Sequence, residues 1–452
     1  MTRARAGTFD HGIHPADHKV HTEALVIERM PLGQRFSLLL GQHIGAPAKA
    51  LVRVGDEVRR GQRIADAGGF VSTSLHSPIT GRVVSISDQR HPTGALQRSI
   101  VIEADPYDGQ RLHTEAPVDP ATLDEKAFVS HVQRGGLVGL GGAAFPSHVK
   151  YAVPDGKVAH TLALNGCECE PFLTSDHRTM VERPDAIVRG VDIIGARLGV
   201  KQADIGVELN KLDAIEALEA AVARRGAGAF PIHVRPLVVK YPQGAEKMLI
   251  KAMYDKEVPA GALPIDLGVV VNNVSTMASV ADWFDRGEPL VDRIVTVSGP
   301  AVGRPSNLMV PIGTPIRDVL AYCDVVIDDH TQVVMGGPMM GMPVTTLDAP
   351  VLKGTSGLLV FREDDLRTDP AGPCIRCGRC LDACAVSLNP SMFGRLARAG
   401  LVDPMEDWHV MDCMECGACT YACPSHIPLI QLIRASKSQI RAKRAKNPGG
   451  KS

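Results

Sequence analysis

Two cysteine runs near the carboxyl end constrain this 452-residue chain more than any other feature of its sequence. The runs read CIRCGRCLDAC and CMECGACTYACP, and each has the spacing C-x2-C-x2-C-x3-C. Two-residue gaps let three thiolates converge on one face of an iron–sulfur cubane, whereas the fourth cysteine of each run points toward a second cluster. The spacing therefore predicts two [4Fe-4S] clusters and the transfer of electrons one at a time.

Runs of this kind are expected to exchange their fourth ligands. One cluster is predicted to bind Cys374, Cys377, Cys380 and Cys423. The other is predicted to bind Cys384, Cys413, Cys416 and Cys419. A pair of zinc sites is the alternative, but zinc ribbons build four ligands from two C-x2-C pairs. The third and fourth cysteines of each run therefore favour iron–sulfur clusters.

The segment between the two runs favours a helical form of this module. It reads SLNPSMFGRLARAGLVDPMEDWHV, and its apolar residues Met392, Leu396 and Leu401 suit a short helix better than the strands of a small ferredoxin. We therefore expect a helical two-cluster domain over residues 362–435. A polar linker over residues 361–373 is expected to lead into it.

Length and charge limit the class of protein. A chain of 452 residues is expected to form about three domains. Lys plus Arg number 49 and Asp plus Glu 50, so the net charge of −1 creates no field that attracts nucleic acid. No stretch approaches the ~20 apolar residues of a transmembrane helix, and the amino end lacks the apolar core of a signal peptide. We therefore expect a cytoplasmic protein without a membrane span.

A glycine-rich loop opens the middle of the chain, where helical and extended stretches alternate over residues 123–286 as in an α/β fold. The loop reads GGLVGLGGAAFPSHVK and contains Gly139, Gly141 and Gly142. Glycines let backbone N–H groups approach a phosphate or a flat ring. The loop follows a helix-like stretch rather than a strand, so it is not a Rossmann fingerprint. An ordinary flexible loop is the alternative.

Polar residues follow two apolar stretches that are predicted to be buried strands. The first loop reads NGCECEPFLTSDHR and places Asn165, Glu168 and Glu170 past a strand end. The second, in LGVVVNNVSTM, contains Asn272, Asn273, Ser275 and Thr276. A turn between them, in YPQGAEK, contains Gly244, Glu246 and Lys247. Open α/β sheets bind ligands at this edge, although a solvated acidic turn is the alternative for the first loop.

A two-cluster module needs a source or sink of electrons. In a cytoplasmic protein that group is commonly a flavin that exchanges hydride with a nicotinamide. The strand-end loops are therefore candidates for a flavin site.

Several motifs resemble one family of electron-transfer proteins. GLGGAAFP, NGCECEP with the following DHR, YPQGAE and VNNVST occur in the order seen in the flavin-bearing, NADH-oxidising subunit of respiratory complex I. The chain is more closely similar to the C subunit of the Rnf/Rsx electron transport complex, which FDHGIHP, GQHIGAPA and GGPMMG also resemble. The resemblance extends over residues 9–428.

The resemblance implies particular ligands for FMN and NADH. FMN would be held by the residues that match the family motifs, namely Gly139, Gly141, Gly142, Lys150, Asn165, Asn272, Asn273 and Thr276. Glu168 and Glu170 would contact polar groups of NADH, and Gly244 with Glu246 would complete the cofactor site. The chain departs from the complex I subunit in two ways, because Cys167 replaces an aspartate and the glycine loop is shorter.

The full chain is predicted to be a multidomain α/β protein. Residues 1–115 resemble the barrel-sandwich fold of biotinyl and lipoyl carriers but lack a lysine at the hairpin tip, so we expect a module that carries no group. An FMN- and NADH-binding α/β domain is expected over residues 120–290, and a β-grasp module of the SLBB type over 291–350. A basic, solvated tail is expected over 436–452.

The resemblance implies a peripheral protein on the cytoplasmic face of the inner membrane. Its complex would be an ion-translocating oxidoreductase that moves Na⁺ or H⁺, and its partners would be other subunits, above all an iron–sulfur B-type subunit, with ferredoxin as a further candidate. The direction of electron flow is left open, and no residue is predicted to act as a proton-transfer catalyst. The alternatives are a soluble cobalamin reductase and a wiring subunit without a working flavin.

Overall fold

The computed structural model describes residues 6–366 and 369–446. Three short segments lie outside the described residues: 1–5 of the first predicted module, 367–368 of the predicted linker and 447–452 of the predicted tail. No helix in the described ranges is both long and apolar enough to cross a membrane.

The amino-terminal module contains two small antiparallel sheets. Its strands are β1 (Ile27–Arg29), β2 (Arg35–Leu39), β3 (Lys49–Ala50), β4 (Glu57–Val58), β5 (Arg63–Asp66), β6 (Leu75–His76), β7 (Gly81–Arg90) and β8 (Leu96–Ala104). One sheet has the order β2-β8-β7-β4 and the other β3-β5-β6, whereas β1 joins a different sheet. Alternate side chains such as Phe36, Ile64 and Ile100 point inward and are fully buried, as a barrel sandwich requires.

The hairpin tip of this module packs against the following domain. Gln133 donates its side-chain amide to the carbonyl of Ser72 at 3.0 Å, and Thr73 Oγ1 donates to the carbonyl of Gln133 at 2.7 Å. Ser72, Thr73 and Ser74 are buried. The tip, where a carrier protein would present a lysine, is thus part of a domain interface.

The second domain has a four-stranded parallel sheet in the order β11-β10-β9-β12. Its strands are β9 (Thr161–Asn165), β10 (Gln202–Glu208), β11 (Ile232–Leu237) and β12 (Val269–Asn273). Its helices are α1 (Glu125–Arg134), α2 (Ser147–Tyr151), α3 (Ser175–Glu182), α4 (Pro184–Leu198), α5 (Leu212–Arg225), α6 (Glu246–Tyr254) and α7 (Val274–Arg286). Short 3-10 turns occupy Pro120–Thr122 and Pro264–Leu267. The apolar faces of the helices and the sheet bury one core, which includes Leu162, Ile205 and Met277.

The third domain is a mixed six-stranded sheet in the order β1-β14-β13-β17-β15-β16. Its further elements are β13 (Asp292–Ser298), β14 (Ser306–Pro311), α8 (Ile316–Tyr322), β15 (Thr331–Met335), β16 (Met342–Pro343) and β17 (Gly357–Arg362). Two of its strands, β1 and β17, come from outside the range 291–350 that was predicted for this module. β17 pairs with both β13 and β15, and such pairing of distant segments has no local sequence signal.

The fourth domain is helical, as the sequence predicted. It contains α9 (Arg379–Asp382), α10 (Pro390–Arg398), α11 (Pro404–Asp407), α12 (Ala418–Tyr421) and α13 (Leu429–Lys446). Phe393, Met405 and Ile433 form its core. Helix α13 crosses residue 436, where a solvated tail was expected to begin, and Ile440 is 1% exposed. The prediction of a free tail is corrected up to Lys446, because this segment is helical and Ile433 and Ile440 anchor it to the cluster domain. Residues 441–446 of the helix are exposed, as predicted.

Candidate functional site

The glycine loop lies between α1 and α2 and faces the start of α7. Its predicted site residues are Gly139, Gly141 and Gly142. At Gly142 φ is +117° and no atom lies within 4 Å of the position a Cβ would take, whereas at Gly141 a Cβ would lie 3.4 Å from the side-chain amide of Asn273. The N–H of Leu140 donates to Thr276 Oγ1 at 2.9 Å. The loop is thus fastened to α7 while its glycine edge stays open.

Asparagines end two neighbouring strands of the parallel sheet. β9 ends at Asn165 and β12 at Asn273, and these two residues are partners in the strand register. Asn165 donates its side-chain amide to the carbonyl of Gly244 at 2.8 Å and accepts the N–H of Cys167 at 3.1 Å. The structure therefore brings the glycine loop, the β9 loop and the turn before α6 to one sheet edge.

The side-chain amide of Asn272, at the same sheet edge, has a hydrogen-bond donor without a partner among the described residues. Its Oδ1 accepts the hydroxyl of Tyr151 at 3.0 Å. Its Nδ2 is buried and finds no acceptor among the described residues. A buried donor without a partner costs about 1–3 kcal/mol. A bound group with an acceptor here, such as the edge of a flavin ring, would remove that cost.

Lys150 and Glu246 form an ion pair at the rim of the same edge. Lys150 Nζ lies 3.1 Å from Glu246 Oε1 and donates to the carbonyl of Val271 at 2.8 Å. Their side chains are 31% and 41% exposed. Exposed pairs contribute little to stability, so the lysine can turn to an anionic ligand at small cost.

The two predicted carboxylates are engaged within the protein. Glu168 accepts the N–H groups of Asp176 at 2.8 Å and His177 at 3.0 Å, and thereby caps the start of α3. Glu170 accepts the N–H groups of Met339 at 3.0 Å and Met340 at 2.9 Å. Burial raises the pKa of Glu170. Their contact with a nicotinamide stays a prediction.

Two buried charged residues that the sequence analysis did not single out support these loops. Lys19 is 2% exposed and donates to the carbonyls of Glu168 and Glu170, each at 2.9 Å. Asp176 accepts from Ser275 Oγ at 2.5 Å and from Asn273 Nδ2 at 2.6 Å, and burial raises its pKa. Asp176 lies in the DHR motif, which could have flagged it, whereas no local pattern marks Lys19.

Tyr241 joins the sheet edge to the cluster domain. Its hydroxyl donates to the carbonyl of Cys416 at 2.7 Å, and burial raises its pKa. Gly417 packs closely against the carbonyl of Met339, because a Cβ added to Gly417 would lie 2.9 Å from that oxygen. Tyr241, Cys169, Met339 and Cys416 belong to one apolar cluster. The cluster domain therefore contacts the sheet edge through the second cysteine run.

The cysteine thiols fall into two neighbouring groups that cross between the runs. The pKa of Cys380 is raised by burial and, further, by the thiols of Cys423, Cys374 and Cys377. Burial raises the pKa of Cys419 to about 12, and the nearby thiols of Cys413, Cys416 and Cys384 raise it as well. These are the two predicted ligand sets. We call them the outer set (Cys374, Cys377, Cys380 and Cys423) and the inner set (Cys384, Cys413, Cys416 and Cys419).

The two cysteine sets differ in their exposure to solvent. In the described ranges, no three His, Cys, Asp or Glu side chains lie close enough to share a single metal ion. Cys374 and Cys377 are exposed, whereas Cys419 is buried. The outer set therefore reaches the surface through Cys374 and Cys377, although Cys423 is buried, and the inner set contacts the sheet edge through Cys416.

Four family models match the chain in the order of its domains. Residues 7–107 match the RnfC barrel sandwich hybrid domain, and residues 132–282 match the Nuo51 FMN-binding domain. Residues 294–343 match the SLBB domain, and residues 371–427 match the 4Fe-4S dicluster domain.

Relatives cover nearly the whole chain. The C subunit of the proton-translocating ferredoxin:NAD(+) oxidoreductase complex of Clostridium ljungdahlii is 42% identical, over 96% of this chain and 94% of the relative. The C subunit of the Na(+)-translocating complex of Acetobacterium woodii is 38% identical, over 97% and 98%. The chain belongs to this C-subunit family. A third member, from Rhodobacter capsulatus, is 40% identical, over 96% of this chain and 83% of the relative.

Membership in the C-subunit family confirms the resemblance drawn from the motifs. The barrel-sandwich, FMN-binding, SLBB and dicluster domains are all confirmed, as are FMN and [4Fe-4S] clusters as the cofactors of these domains. Among solved structures, an air-oxidized NAD+-reducing [NiFe]-hydrogenase has a TM-score of 0.52 at 21% identity, covering 69% of this chain and 63% of that chain. That likeness concerns the fold.

Proposed function

We propose that the chain carries electrons between NAD(H) and other subunits of an ion-translocating ferredoxin:NAD oxidoreductase complex. The observation that carries the proposal is the contact between the sheet edge and the inner cysteine set, through the hydrogen bond from Tyr241 to the carbonyl of Cys416. The names of the Clostridium and Acetobacterium relatives support the complex.

The sheet edge is the proposed FMN site. When bound, FMN would exchange hydride with the nicotinamide and pass on single electrons. The open edge at Gly142 would admit the flat ring, and Asn272 Nδ2 would donate to it. Lys150 would neutralise negative charge at the rim. Asn273 would keep the glycine loop and Asp176 in place from the start of α7.

The remaining predicted site residues are proposed to shape this edge. Asn165 and Gly244 hold two loops together, and Thr276 anchors the glycine loop. Glu246 pairs with Lys150 in the absence of an anion. Glu168 and Glu170 would position the β9 loop toward the nicotinamide, in addition to their observed bonds.

Two [4Fe-4S] clusters on the outer and inner cysteine sets would continue the path. The inner cluster would exchange electrons with FMN, because its ligand Cys416 lies beside the sheet edge. The outer cluster would exchange them with a partner, because Cys374 and Cys377 are exposed. An iron–sulfur B-type subunit is the proposed partner, at the cytoplasmic face of the membrane. The relatives include both proton- and sodium-translocating complexes.

A wiring subunit without a working flavin is the second candidate function. It is favoured by the engagement of both Glu168 and Glu170 in bonds within the protein.

Reconstitution separates the two candidates. The anaerobically purified chain, loaded with FMN, iron and sulfide, is expected to bind flavin in equimolar amount and to lose flavin absorbance when NADH is added. Absence of bound flavin together with clusters that NADH does not bleach would leave only the wiring role.

A pair of helix-cap variants localises the flavin. Asn273 caps α7 by accepting the N–H of Thr276, and Asp124 caps α1 by accepting the N–H of Ala127. Replacing Asp124 by alanine is expected to cost about 1 kcal/mol of stability, and replacing Asn273 is expected to cost more, because its amide also donates to the buried Asp176. Only Asn273→Ala should weaken FMN binding, measured by fluorescence titration. Equal FMN affinity in the two variants would argue against this edge as the site.

A further inference from the structure

A cleft of about 380 Å³ lies where three domains meet, outside the proposed FMN site. Arg60 comes from the barrel sandwich, Ser279 and Asp282 from one face of α7, and Arg293 from β13. Leu140 of the glycine loop also lines the cleft. The volume falls in the usual range of small-molecule sites.

The wall of this cleft carries more positive than negative groups. Five guanidinium groups line it, from Arg29, Arg60, Arg183, Arg286 and Arg293. Three carboxylates line it, from Asp282, Glu288 and Asp292. The cleft therefore has an excess of two positive charges, which is the charge that a dianion would balance.

The carboxylates of the cleft are shared between arginines. Asp282 contacts both Arg183 at 2.6 Å and Arg286 at 2.5 Å. Asp292 contacts both Arg29 at 3.0 Å and Arg60 at 2.7 Å. Arg286 pairs in addition with Glu288 at 3.0 Å, so Arg183 and Arg286 are matched by two carboxylates. Asp292 alone serves Arg29 and Arg60, so that pair of arginines is not fully neutralised.

Arg293 is the most deeply buried cation of the set. It is 2% exposed and pairs with no carboxylate in the part of the chain that the structure describes. One hydrogen bond leads from its guanidinium to the carbonyl of Leu140 at 2.5 Å, and its Nε has no acceptor. Burial lowers the pKa of Arg293, and the charges of Asp176 and Glu168 oppose that shift. A buried cation of this kind is costly unless an anion joins it.

The cleft is open at one side. The side chains of Arg29 and Arg286 at its rim are 54% and 52% exposed, whereas that of Arg60 is 10% exposed. A ligand can therefore enter at the rim and meet arginines of decreasing exposure. Planar guanidinium forks bind phosphate oxygens in pairs, with a geometry that single ammonium groups do not offer.

We propose that this cleft binds a phosphate dianion, either free or at the end of a small molecule. This site is additional to the proposed electron path. Because Arg293 holds Leu140 and Leu140 donates to Thr276, the cleft and the glycine loop share a wall.

Thermal unfolding of the chain loaded with FMN and both clusters tests the proposal. Inorganic phosphate and glycerol 3-phosphate are added separately at constant ionic strength, with chloride as the balancing salt. A saturable rise in Tm with either probe is expected, and a larger rise with glycerol 3-phosphate would indicate a small-molecule ligand. Bound FMN is measured in each sample, so that phosphate entering an emptied flavin site is recognised. No saturable rise with either probe would overturn the proposal.

A matched pair of substitutions at Ser279 places the phosphate in the cleft. Ser279→Asp adds a negative charge to the wall, whereas Ser279→Asn adds nearly the same volume without charge. Phosphate affinity is expected to fall at least about tenfold in Ser279→Asp relative to Ser279→Asn. Equal affinity in these two variants would overturn the proposal.

A second pair keeps the test decisive if Ser279→Asp does not fold. Arg29→Gln removes one rim guanidinium, whereas Arg224→Gln removes an exposed arginine that pairs with Asp185 elsewhere on the surface. Only Arg29→Gln should weaken phosphate binding. Equal weakening would show general charge screening and overturn the proposal. Neither the Tm nor the phosphate affinity depends on NADH oxidation, so failure of this proposal can be distinguished from failure of the proposed function.

Discussion

At the scale of single residues, Cys423 decides whether the ligand sets cross. It lies in the second run, but its thiol neighbours that of Cys380 in the first. Cys423→Ala is expected to remove the outer cluster and to leave the inner one, so the iron content should fall by half. Iron and sulfide analysis with EPR of the reduced protein measures this.

Cys323 provides the control for that variant. It is buried in the third domain, away from both runs. Cys323→Ala should keep both clusters. If Cys423→Ala instead retained both clusters, or lost the signal of the inner one, the crossed arrangement would be wrong.

Lys353 gives a pH dependence that can be assigned to one side chain. Its Nζ donates to the carbonyls of Ser74 at 2.8 Å and Gly136 at 2.7 Å, and thereby ties three domains together. Burial lowers its pKa from 10.5 to about 7. Between these values the unfolded chain binds a proton that the folded chain does not, so this lysine makes stability rise with pH from about 7 toward 10.5.

Lys353→Met should therefore flatten the pH dependence of the free energy of unfolding between pH 7 and 10. Between the two pKa values the free energy of unfolding of the wild type should rise by up to ~1.4 kcal/mol per pH unit more than that of the variant. Chemical denaturation across this range measures it, with the exposed Lys201→Met as control. An identical slope in wild type and Lys353→Met would contradict the assignment.

At the scale of elements, helix α13 brings a buried cation to the inner cysteine set. Lys437 donates to the carbonyl of Cys413 at 2.6 Å and pairs with Glu415 at 2.8 Å. A nearby positive charge favours the reduced, more negative cluster. Lys437→Met is therefore expected to lower the reduction potential of the inner cluster, as followed by an EPR-monitored redox titration.

The exposed Lys443 on the same helix is the control, since it pairs with Asp403 away from the cysteines. Lys443→Met should leave both potentials unchanged. A shift of the outer cluster alone in Lys437→Met would show that the charge acts elsewhere.

The elements also show which parts of the fold could be predicted. The strands that end at Asn165 and Asn273 were predicted from their apolar runs. The helix that follows Asn273 was not predicted, because the polar residues at its start are typical of a loop. The insertion of β17 between β13 and β15 was not predictable, because it joins segments about sixty residues apart. The carboxyl-terminal part of helix α13 was not predicted, because its many basic residues were interpreted as a solvated tail although Ile433 and Ile440 have helical spacing.

At the scale of the whole molecule, most of the predictions about the site came from the spacing of residues that are close together in the sequence. Each cysteine run supplies three ligands of one cluster within a few residues, and the glycine loop and strand-end asparagines are local as well. The buried charges were not predicted, because Lys19, Arg293 and Lys353 gain their roles from partners more than 140 residues away. The contact from Tyr241 to Cys416 likewise spans 175 residues.

The order of the relay is the central claim, and loss of one cluster at a time tests it most directly. Cys419→Ala should remove the inner cluster and Cys374→Ala the outer one, while FMN stays bound in both. Freeze-quenched EPR after anaerobic mixing with NADH should show the inner cluster reduced in Cys374→Ala, and the outer cluster left oxidised in Cys419→Ala. Reduction of the outer cluster by NADH at the wild-type rate in Cys419→Ala would contradict the account.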